Sequence, residues 1–276
     1  MEKEWTVIVG PTAVGKTDYS IELAKEYRSP VISCDSRQIF REMKIGTAPP
    51  SPEQLAAVKH YFIFSHSVSQ YYTAGKYELE ALEVINELFK THDRLVVVGG
   101  SGLYVDALCY GLDDFPPADI ELRNQLMERL DKEGIESLRM ELKQLDPESY
   151  HSMDIANRQR VVRALEVTLM TGRKFSSFKT NKAKERPFKI NKVVMSMPRE
   201  ELYGRINRRV DMMFDAGLVQ EVESLLQYRE MPALQTVGYK EIFEYFDGKH
   251  SLETARELIK RNTRRYAKKQ ISYFKR

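Results

Sequence analysis

The chain has 276 residues, of which 42% are hydrophobic and 30% are charged, with a mean hydropathy of −0.48 and a formal net charge of +3. This composition is typical of a globular protein, and no segment approaches the ~20 consecutive apolar residues of a membrane span, which excludes the membrane and disordered classes. The length predicts one principal core with an appended or inserted lobe.

Targeting and metal-binding patterns are absent from the sequence. The N-terminal residues lack the basic region and apolar stretch of a secretory signal, and the two cysteines, Cys34 and Cys109, have neither metal-binding nor redox spacing. The five histidines form no H-x-x-x-H pair and no cluster with cysteine, which argues against a zinc site. We therefore expect a protein of the reducing cytoplasm.

The first predicted elements form a phosphate-binding unit. An apolar run at residues 5–9 predicts a strand, and it is followed by GPTAVGKT and by a helical pattern at 16–27. In such a loop, glycines let backbone N–H groups face a polyphosphate, the lysine supplies charge, and the threonine hydroxyl can bind Mg²⁺. The spacing predicts that the loop binds a diphosphate group, but it does not show which molecule contains that group. The predicted diphosphate-binding residues are Gly10, Pro11, Thr12, Ala13, Val14, Gly15, Lys16 and Thr17, with Thr17 as the magnesium ligand.

The next elements continue an α/β pattern. Strand patterns at residues 31–34 and 95–98 alternate with helical patterns at 53–58 and 77–91, which is typical of parallel βαβ units. Ligands bind at the carboxyl ends of such strands. The phosphate loop, Asp35 and the turn GGSG at 99–102 each follow a strand, so we expect them along one edge of the sheet.

Two polar side chains follow these strands, and each has two interpretations. Asp35 fits a general base or an Mg²⁺ contact, but aspartate is also a favoured helix N-cap, here for a helix near Arg37. Ser101 fits a hydrogen-bond donor to a diphosphate oxygen, and equally a simple turn serine. The expected position of Asp35 beside the phosphate loop favours its functional role.

A helical stretch interrupts the α/β pattern. The predicted helices lie at 119–133, 135–145 and 154–172, with Asp119 and Asp154 as candidate N-caps, and strand character returns only at 192–196. We therefore predict an α/β core of residues 1–113 and 192–276 with an all-helical insertion of residues 114–191. Arg160 and Arg163 share one face of the third helix; such arginines usually have no function, although opposite RNA they would hold phosphate.

The C-terminal part carries most of the positive charge. After residue 198 an apolar stripe predicts a helix that ends near Gly217, with three arginines beside the stripe at 205, 208 and 209. Residues 256–276 contain nine lysines or arginines and one acidic residue, a net charge of +8. Interleaved aromatic residues indicate a nucleic-acid-binding helix, and an ordinary amphipathic helix is the alternative.

Seven segments resemble, in order, the motifs of the tRNA dimethylallyltransferases, also called tRNA isopentenyltransferases. They are GPTAVGKT, VISCDSRQIF with KIGTAPP, VVVGGSGLY, QRVVRALEV, LYGRINRRVDMMFDAGLVQEV, TVGYKE and TRRYAKKQISYF. The resemblance covers essentially the whole chain. It is closer to bacterial-type members, because the C-terminal zinc finger of eukaryotic relatives has no counterpart here.

This resemblance implies a P-loop NTPase-like parallel sheet flanked by helices, and transfer of a dimethylallyl group from dimethylallyl diphosphate to the exocyclic amine of the adenine just 3′ of the anticodon. It implies Mg²⁺ as cofactor and the tRNA anticodon stem-loop as partner. Asp35 would accept the amine proton, and Ser101, more often threonine in the family, would steady the departing diphosphate. The implied tRNA-binding residues are Asp35, Ser36, Arg37, Gln38, Ser101, Arg123, Gln159, Arg160, Arg163, Gly238, Lys240, Lys268 and Lys269.

Two other functions fit parts of the sequence. A P-loop kinase for a small molecule would need a nucleoside triphosphate and an arginine-rich lid. A nucleotide-switched RNA-binding protein would bind anticodon arms without altering them. We favour the transferase because one chain contains both the phosphate loop and the basic C-terminal segment, and we expect a monomer because there is no long heptad seam.

Overall fold

The structure is a computed structural model that describes residues 3–180 and 182–275. It divides into two compact units, a core unit (Met1–Gly111 and Glu185–Arg276) and a helical unit (Leu112–Lys184). The sequence pattern places the end of the insertion at 191, but Arg186 already belongs to the core unit. Its guanidinium pairs with the buried carboxylate of Glu78 (2.9 Å) and donates to the Leu108 carbonyl (3.0 Å).

The described residues form five strands and twelve α-helices. The strands are β1 (Glu4–Val9), β2 (Val31–Ser33), β3 (His60–Tyr61), β4 (Arg94–Gly99) and β5 (Lys189–Val194). The helices are α1 (Lys16–Tyr27), α2 (Pro52–Ala57), α3 (Ala74–Leu88), α4 (Gly102–Tyr110), α5 (Ile120–Glu133), α6 (Ile135–Leu145), α7 (Pro147–Ser152), α8 (Arg158–Thr171), α9 (Arg199–Asp215), α10 (Leu218–Ser224), α11 (Lys240–Phe246) and α12 (Leu252–Phe274).

The core unit is built on a parallel sheet with the strand order β3-β2-β4-β1-β5. Strand β1 pairs with β4 from Glu4↔Arg94 to Val9↔Gly99, and its apolar residues are fully buried. The predicted α/β class is therefore confirmed. Because all strands run in the same direction, the segments that follow β1, β2 and β4 meet at one edge of the sheet.

The edge strand β5 differs from its prediction. It occupies Lys189–Val194, in register with β1 along its whole length, rather than 192–196. Its side chains are exposed or only partly buried, so it needs no continuous apolar run and reads as KINKVV. An apolar pattern alone therefore finds only its last residues.

The helical unit has a core of its own, formed mainly by leucine and valine side chains of α5, α6 and α8. The predicted cap at Asp154 is wrong: α8 begins at Arg158, and Asn157 caps it by accepting from the Arg160 N–H. Asp154 instead accepts from the Ala156 N–H in the preceding turn. Both residue types are good caps, and tertiary packing decides between them.

Helix α12, which contains most of the basic C-terminal segment, packs against the phosphate loop. Ser251 caps its start by accepting from the Thr254 N–H. The buried Ala267 packs in one cluster with Leu202 and Ile206 of α9 and with Ala13 and Val14 of the loop after β1. The basic segment is therefore a helix with one face buried on the core unit. No helix within 3–180 and 182–275 combines the length and apolar character needed to cross a membrane.

Candidate active site

A cavity of about 420 Å³ lies where strands β1, β2 and β4 end. Its walls come from the loop after β1, the turn after β2 and the start of the GGSG turn after β4. Helices α9 and α12 and the segments 46–50 and 236–238 complete the lining. The strand-end loops that the sequence pattern expects along one edge do meet here.

The phosphate loop has the backbone that its glycines permit. Gly15 has φ +101°, and Gly10 has φ +148° with no space for a Cβ, which would lie 2.6 Å from the Met195 carbonyl oxygen. The Lys16 ammonium group donates to the carbonyls of Gly10 (3.0 Å) and Pro11 (2.8 Å). The loop residues that line the cavity are Thr12, Ala13, Gly15, Lys16 and Thr17.

The pKa of Lys16 is unusually low. Its pKa is lowered to about 8, mainly by burial; the carboxylate of Asp35 acts in the opposite direction, and the nearby charge of Arg209 contributes to the lowering. A buried cation that releases its proton this easily gains from an anion placed beside it. The loop therefore favours a negatively charged ligand for an electrostatic reason as well as a geometric one.

Positive charge exceeds negative charge around the cavity. Among the described residues, its lining has the basic side chains Lys16, Arg37, Arg205 and Arg209 and the acidic side chains Asp18 and Asp35. None of these four cations forms an ion pair with a carboxylate of the described residues. Burial lowers the pKa values of Arg37 and Arg209. Unpaired, partly desolvated cations of this kind fit an anionic ligand.

Arg205 and Arg209 were not among the predicted site residues. Arg209 donates to the Thr12 hydroxyl (3.2 Å), which places its guanidinium against the phosphate loop. The available signal was a pair of arginines spaced by four residues beside the buried stripe of α9. That spacing shows that the two arginines share one face of α9, but it does not show which part of the protein this face contacts.

Asp35 combines both of its sequence interpretations. Its Oδ1 accepts from the N–H groups of Arg37 (2.8 Å) and Gln38 (3.1 Å), as a capping side chain does. Its Oδ2 has no hydrogen-bond partner among the described residues, and the residue lines the cavity. One oxygen therefore fixes the turn while the other is available to a ligand.

Ser101 is buried, and its hydroxyl is engaged by the turn after β2. Its Oγ accepts from the Ser36 N–H (2.9 Å) and donates to the Ser36 hydroxyl (3.1 Å). The contact joins the GGSG turn to the residue next to Asp35. In this arrangement Ser101 orders the wall of the cavity, and its contact with a diphosphate stays a prediction.

The segment 46–50 forms another wall, and residues 44–48 are held from two sides. The Glu221 carboxylate accepts from the N–H groups of residues 44–46 (2.7, 2.7 and 3.0 Å) and from the Tyr239 hydroxyl (2.6 Å). The Gln38 amide donates to the carbonyls of Thr47 (3.2 Å) and Ala48 (2.9 Å). Gln38, predicted as an RNA-binding residue, therefore also shapes the cavity.

The other predicted tRNA-binding residues of the core unit fall into two sets. Ser36, Arg37 and Gly238 line the cavity. Lys240, Lys268 and Lys269 are exposed, the last two on the outer face of α12. The basic segment thus presents exposed ammonium groups, as its nucleic-acid interpretation requires.

The predicted residues of the helical unit are largely engaged with one another. Arg123 (3.0 Å) and Arg163 (2.7 Å) both pair with the fully buried carboxylate of Glu166. Gln159 is exposed and accepts a long hydrogen bond from Arg123 (3.4 Å). Arg160 is exposed on the same helix. The predicted shared role of Arg160 and Arg163 is therefore divided between a surface cation and a structural one.

The donor set fits magnesium better than a protein-bound metal cluster. Within 3–180 and 182–275, no group of three or more His, Cys, Asp or Glu side chains is arranged to hold a metal ion. The Thr17 hydroxyl faces the cavity and has no hydrogen-bond partner among the described residues. Mg²⁺ usually binds through one or two protein oxygens together with phosphate oxygens and water, which matches this sparse set.

Residues 38–276 match the family model described as IPP transferase. The chain is 48% identical over 270 residues to tRNA dimethylallyltransferase 1 of Bacteroides thetaiotaomicron, covering 98% of this chain and 88% of that one. It is 49% identical over 270 residues to tRNA dimethylallyltransferase 2 of Porphyromonas gingivalis, covering 98% and 90%.

Solved structures agree with this similarity. The full-length tRNA isopentenylpyrophosphate transferase of Bacillus halodurans matches with a TM-score of 0.70 at 37% identity, covering 100% of this chain and 87% of that one. A eukaryotic dimethylallyltransferase acting on tRNA matches with a TM-score of 0.76 at 26% identity, covering 98% and 69%. Both similarities extend over the core unit and the helical unit.

Proposed function

Because this chain belongs to the IPP transferase family, we propose that it transfers a dimethylallyl group from dimethylallyl diphosphate to the exocyclic amine of the adenine 3′-adjacent to the anticodon, releasing diphosphate. It is a transferase that modifies tRNA, and its core unit has the P-loop NTPase-like fold of that family.

One observation carries the proposal: a cavity with unpaired cations on one side and an available carboxylate oxygen on another. Lys16, Arg205 and Arg209 form no ion pair with a carboxylate within 3–180 and 182–275, and they gather at the phosphate loop. Asp35 Oδ2 has no hydrogen-bond donor among the described residues. A reaction that releases an anion and removes a proton from an amine needs both features in one place.

The chemistry follows from these groups. The adenine nitrogen forms a bond to C1 of the dimethylallyl group while the C1–O bond breaks, and the electron pair of that bond leaves with the diphosphate. The proton of the amine moves to Asp35 Oδ2, because the nitrogen becomes acidic as its lone pair is used. The cations and the N–H groups of the phosphate loop stabilise the negative charge that develops on the departing oxygen.

We expect Thr17 to hold Mg²⁺ when the diphosphate is bound. The ion would supply further charge neutralisation on the phosphate oxygens. Asp18 is next to Thr17 and exposed, and it accepts from the Gln54 amide (2.6 Å), so its carboxylate is held in the cavity lining.

The tRNA would be held by the exposed basic face of α12 together with the predicted residues of the helical unit. The target adenine must leave its stack to reach a carboxylate in a cavity, since a stacked base cannot present its amine there. Lys268 and Lys269 contact phosphates in this proposal and carry no sequence specificity. We further expect a cytoplasmic monomer, in keeping with two free, buried cysteines.

The test is incubation of unmodified tRNA with the protein, Mg²⁺ and dimethylallyl diphosphate, followed by mass analysis of nucleosides from the anticodon loop. We expect one adenine to gain one dimethylallyl group. A parallel incubation with ATP, with or without nucleosides, measures phosphoryl transfer. Unmodified adenine together with ATP turnover would favour a kinase, and tight tRNA binding without either reaction would favour an RNA-binding switch.

A further inference from the structure

One residue of the basic segment points away from its charged surface. Gln270 is 5% exposed, although its neighbours Lys268 and Lys269 are exposed. In α12 it occupies the buried stripe, three residues after Ala267 and four before Phe274, both buried. A glutamine on an otherwise apolar stripe is costly to bury unless its amide is fully hydrogen-bonded.

The amide of Gln270 is hydrogen-bonded at both ends, and its partners belong to two different loops of the cavity. Its Oε1 accepts from the Thr12 N–H (2.8 Å), at the start of the phosphate loop. Its Nε2 donates to the Gly100 carbonyl (2.9 Å), in the turn after β4. The amide group thus spans the gap between these loops.

The position opposite Gln270 is fitted to it. A Cβ on Gly100 would lie 2.3 Å from Gln270 Nε2, which is closer than atoms can approach. Tyr266, one turn earlier in α12, also lines the cavity. Burial of its hydroxyl and the charge of Asp35 raise the pKa of Tyr266 to about 12.

We propose that Gln270 is a positioning residue, which sets the separation between the phosphate loop and the turn after β4 and so holds the loop in the shape that binds diphosphate. The inference deepens the proposed function, on which its kinetic part rests. Gln270 does not touch the reacting atoms; it acts through Thr12 and Gly100.

The chemistry of a primary amide explains why glutamine stands here. The side chain at this position must accept from the Thr12 N–H and donate to the Gly100 carbonyl, and a glutamine amide has one group for each. Glutamate keeps the acceptor but would place an oxygen against the Gly100 carbonyl. Methionine keeps the length and loses both hydrogen bonds, leaving the Thr12 N–H without its partner.

The first experiment measures Gln270→Met, with Gln227→Met as the matched control. Gln227 is an exposed glutamine for which the described structure has no hydrogen bond. For Gln270→Met we expect the Kd for inorganic diphosphate, measured by calorimetry with Mg²⁺, and the KM for dimethylallyl diphosphate to rise about 10-fold, as loss of one or two such hydrogen bonds predicts. The Kd for tRNA should change less than about 2-fold.

The second experiment tests the fit at Gly100. Gly100→Ala should weaken diphosphate binding because its methyl group displaces the Gln270 amide. In the double variant Gly100→Ala with Gln270→Ala, that clash is gone, so binding should be no weaker than in Gln270→Ala alone. Additive losses in this cycle would contradict the proposal. If Gln270→Met fails to fold, Gln270→Glu and this cycle decide the question.

The outcomes separate this inference from the proposed function. Unchanged diphosphate affinity in folded Gln270→Met would overturn the positioning role, whatever the activity. Equal losses of tRNA and diphosphate affinity would also overturn it, since they would indicate a general structural role. Absence of prenyl transfer by the wild-type protein would instead refute the proposed function. The diphosphate binding data would still test whether Gln270 positions the phosphate loop.

Discussion

The core unit and the helical unit each place a carboxylate among arginines, and they use it in opposite ways. Glu166 is fully buried and saturated: its Oε1 accepts from Arg163 and from the Asp119 N–H, and its Oε2 accepts from Arg123. Asp35 lies beside Arg37 and Lys16 but accepts only from two backbone N–H groups, and one of its oxygens has no described partner.

The difference shows how to distinguish a structural charge cluster from a ligand site. In the helical unit, two guanidinium groups neutralise one carboxylate, and the hydrogen bonds consume both oxygens. In the cavity, the cations remain without carboxylate partners, so their burial cost is not offset within the described chain. In the proposed function, the diphosphate of the substrate supplies this partner.

The largest expected effect is at Asp35. Asp35→Asn keeps an oxygen that can accept from the Arg37 and Gln38 N–H groups but removes the base, so kcat should fall roughly 10²- to 10⁴-fold. The Kd values for diphosphate and for tRNA should change only a few-fold. Single-turnover kinetics with separate binding measurements test this. Intact turnover with lost tRNA affinity would mean that Asp35 serves RNA binding only.

Glu166→Gln tests the other half of the comparison. The substitution keeps the side-chain shape and removes the charge between two partly buried arginines, so the free energy of unfolding should fall by about 2–4 kcal/mol. Urea unfolding measures it, with Glu136→Gln as the control. Glu136 is 76% exposed, and its one ion pair among the described residues is with Arg139, so its loss should stay within about 0.5 kcal/mol. Similar values for both variants would show that Glu166 is not a structural anchor.

The pKa of Lys16 predicts a pH dependence of diphosphate binding. Since this pKa is lowered to about 8, the free lysine loses its charge above that pH, and the binding constant should fall up to about 10-fold per pH unit. Lys16→Arg stays charged and should lack this component. Protonation of the diphosphate affects the wild-type protein and Lys16→Arg equally, so it cancels in the comparison. Parallel pH profiles for the two proteins would show that Lys16 does not cause the pH dependence.

The same pKa has a consequence for the free protein. Folded Lys16 releases its proton at a lower pH than the unfolded chain, whose value is 10.5. The unfolded state therefore binds more protons between pH 8 and 10.5, and this group makes folding more stable as the pH rises through that window.

The smallest expected effect concerns the surface of α12. Lys268→Ala with Lys269→Ala should weaken all tRNAs alike and reduce the log-log salt slope of binding by up to ~2, because each lysine that contacts a phosphate releases about one counterion. Filter binding across salt concentrations measures the slope. An unchanged slope would mean that these ammonium groups stay in solvent and do not contact phosphates of the tRNA.

Local sequence pattern predicted the parts of the site that directly follow a strand. The phosphate loop, Asp35 and the GGSG turn each follow a strand, and parallel strands bring their carboxyl ends together without further information. The family motifs added the reaction. The pattern found only the last residues of β5, whose edge position needs no continuous apolar run, and it failed at Asp154, where a neighbouring asparagine caps the helix.

By itself, the sequence determined that a diphosphate loop and a basic helix occur in one α/β chain, because spacing and composition encode both. Only the tertiary structure decided which charged and polar side chains serve the site. Gln270 meets Thr12 across 258 residues of chain, and Arg209 meets it across 197. Contacts of that range leave no local pattern, and the same residue type can be a paired anchor at Arg163 and an unpaired cation at Arg209.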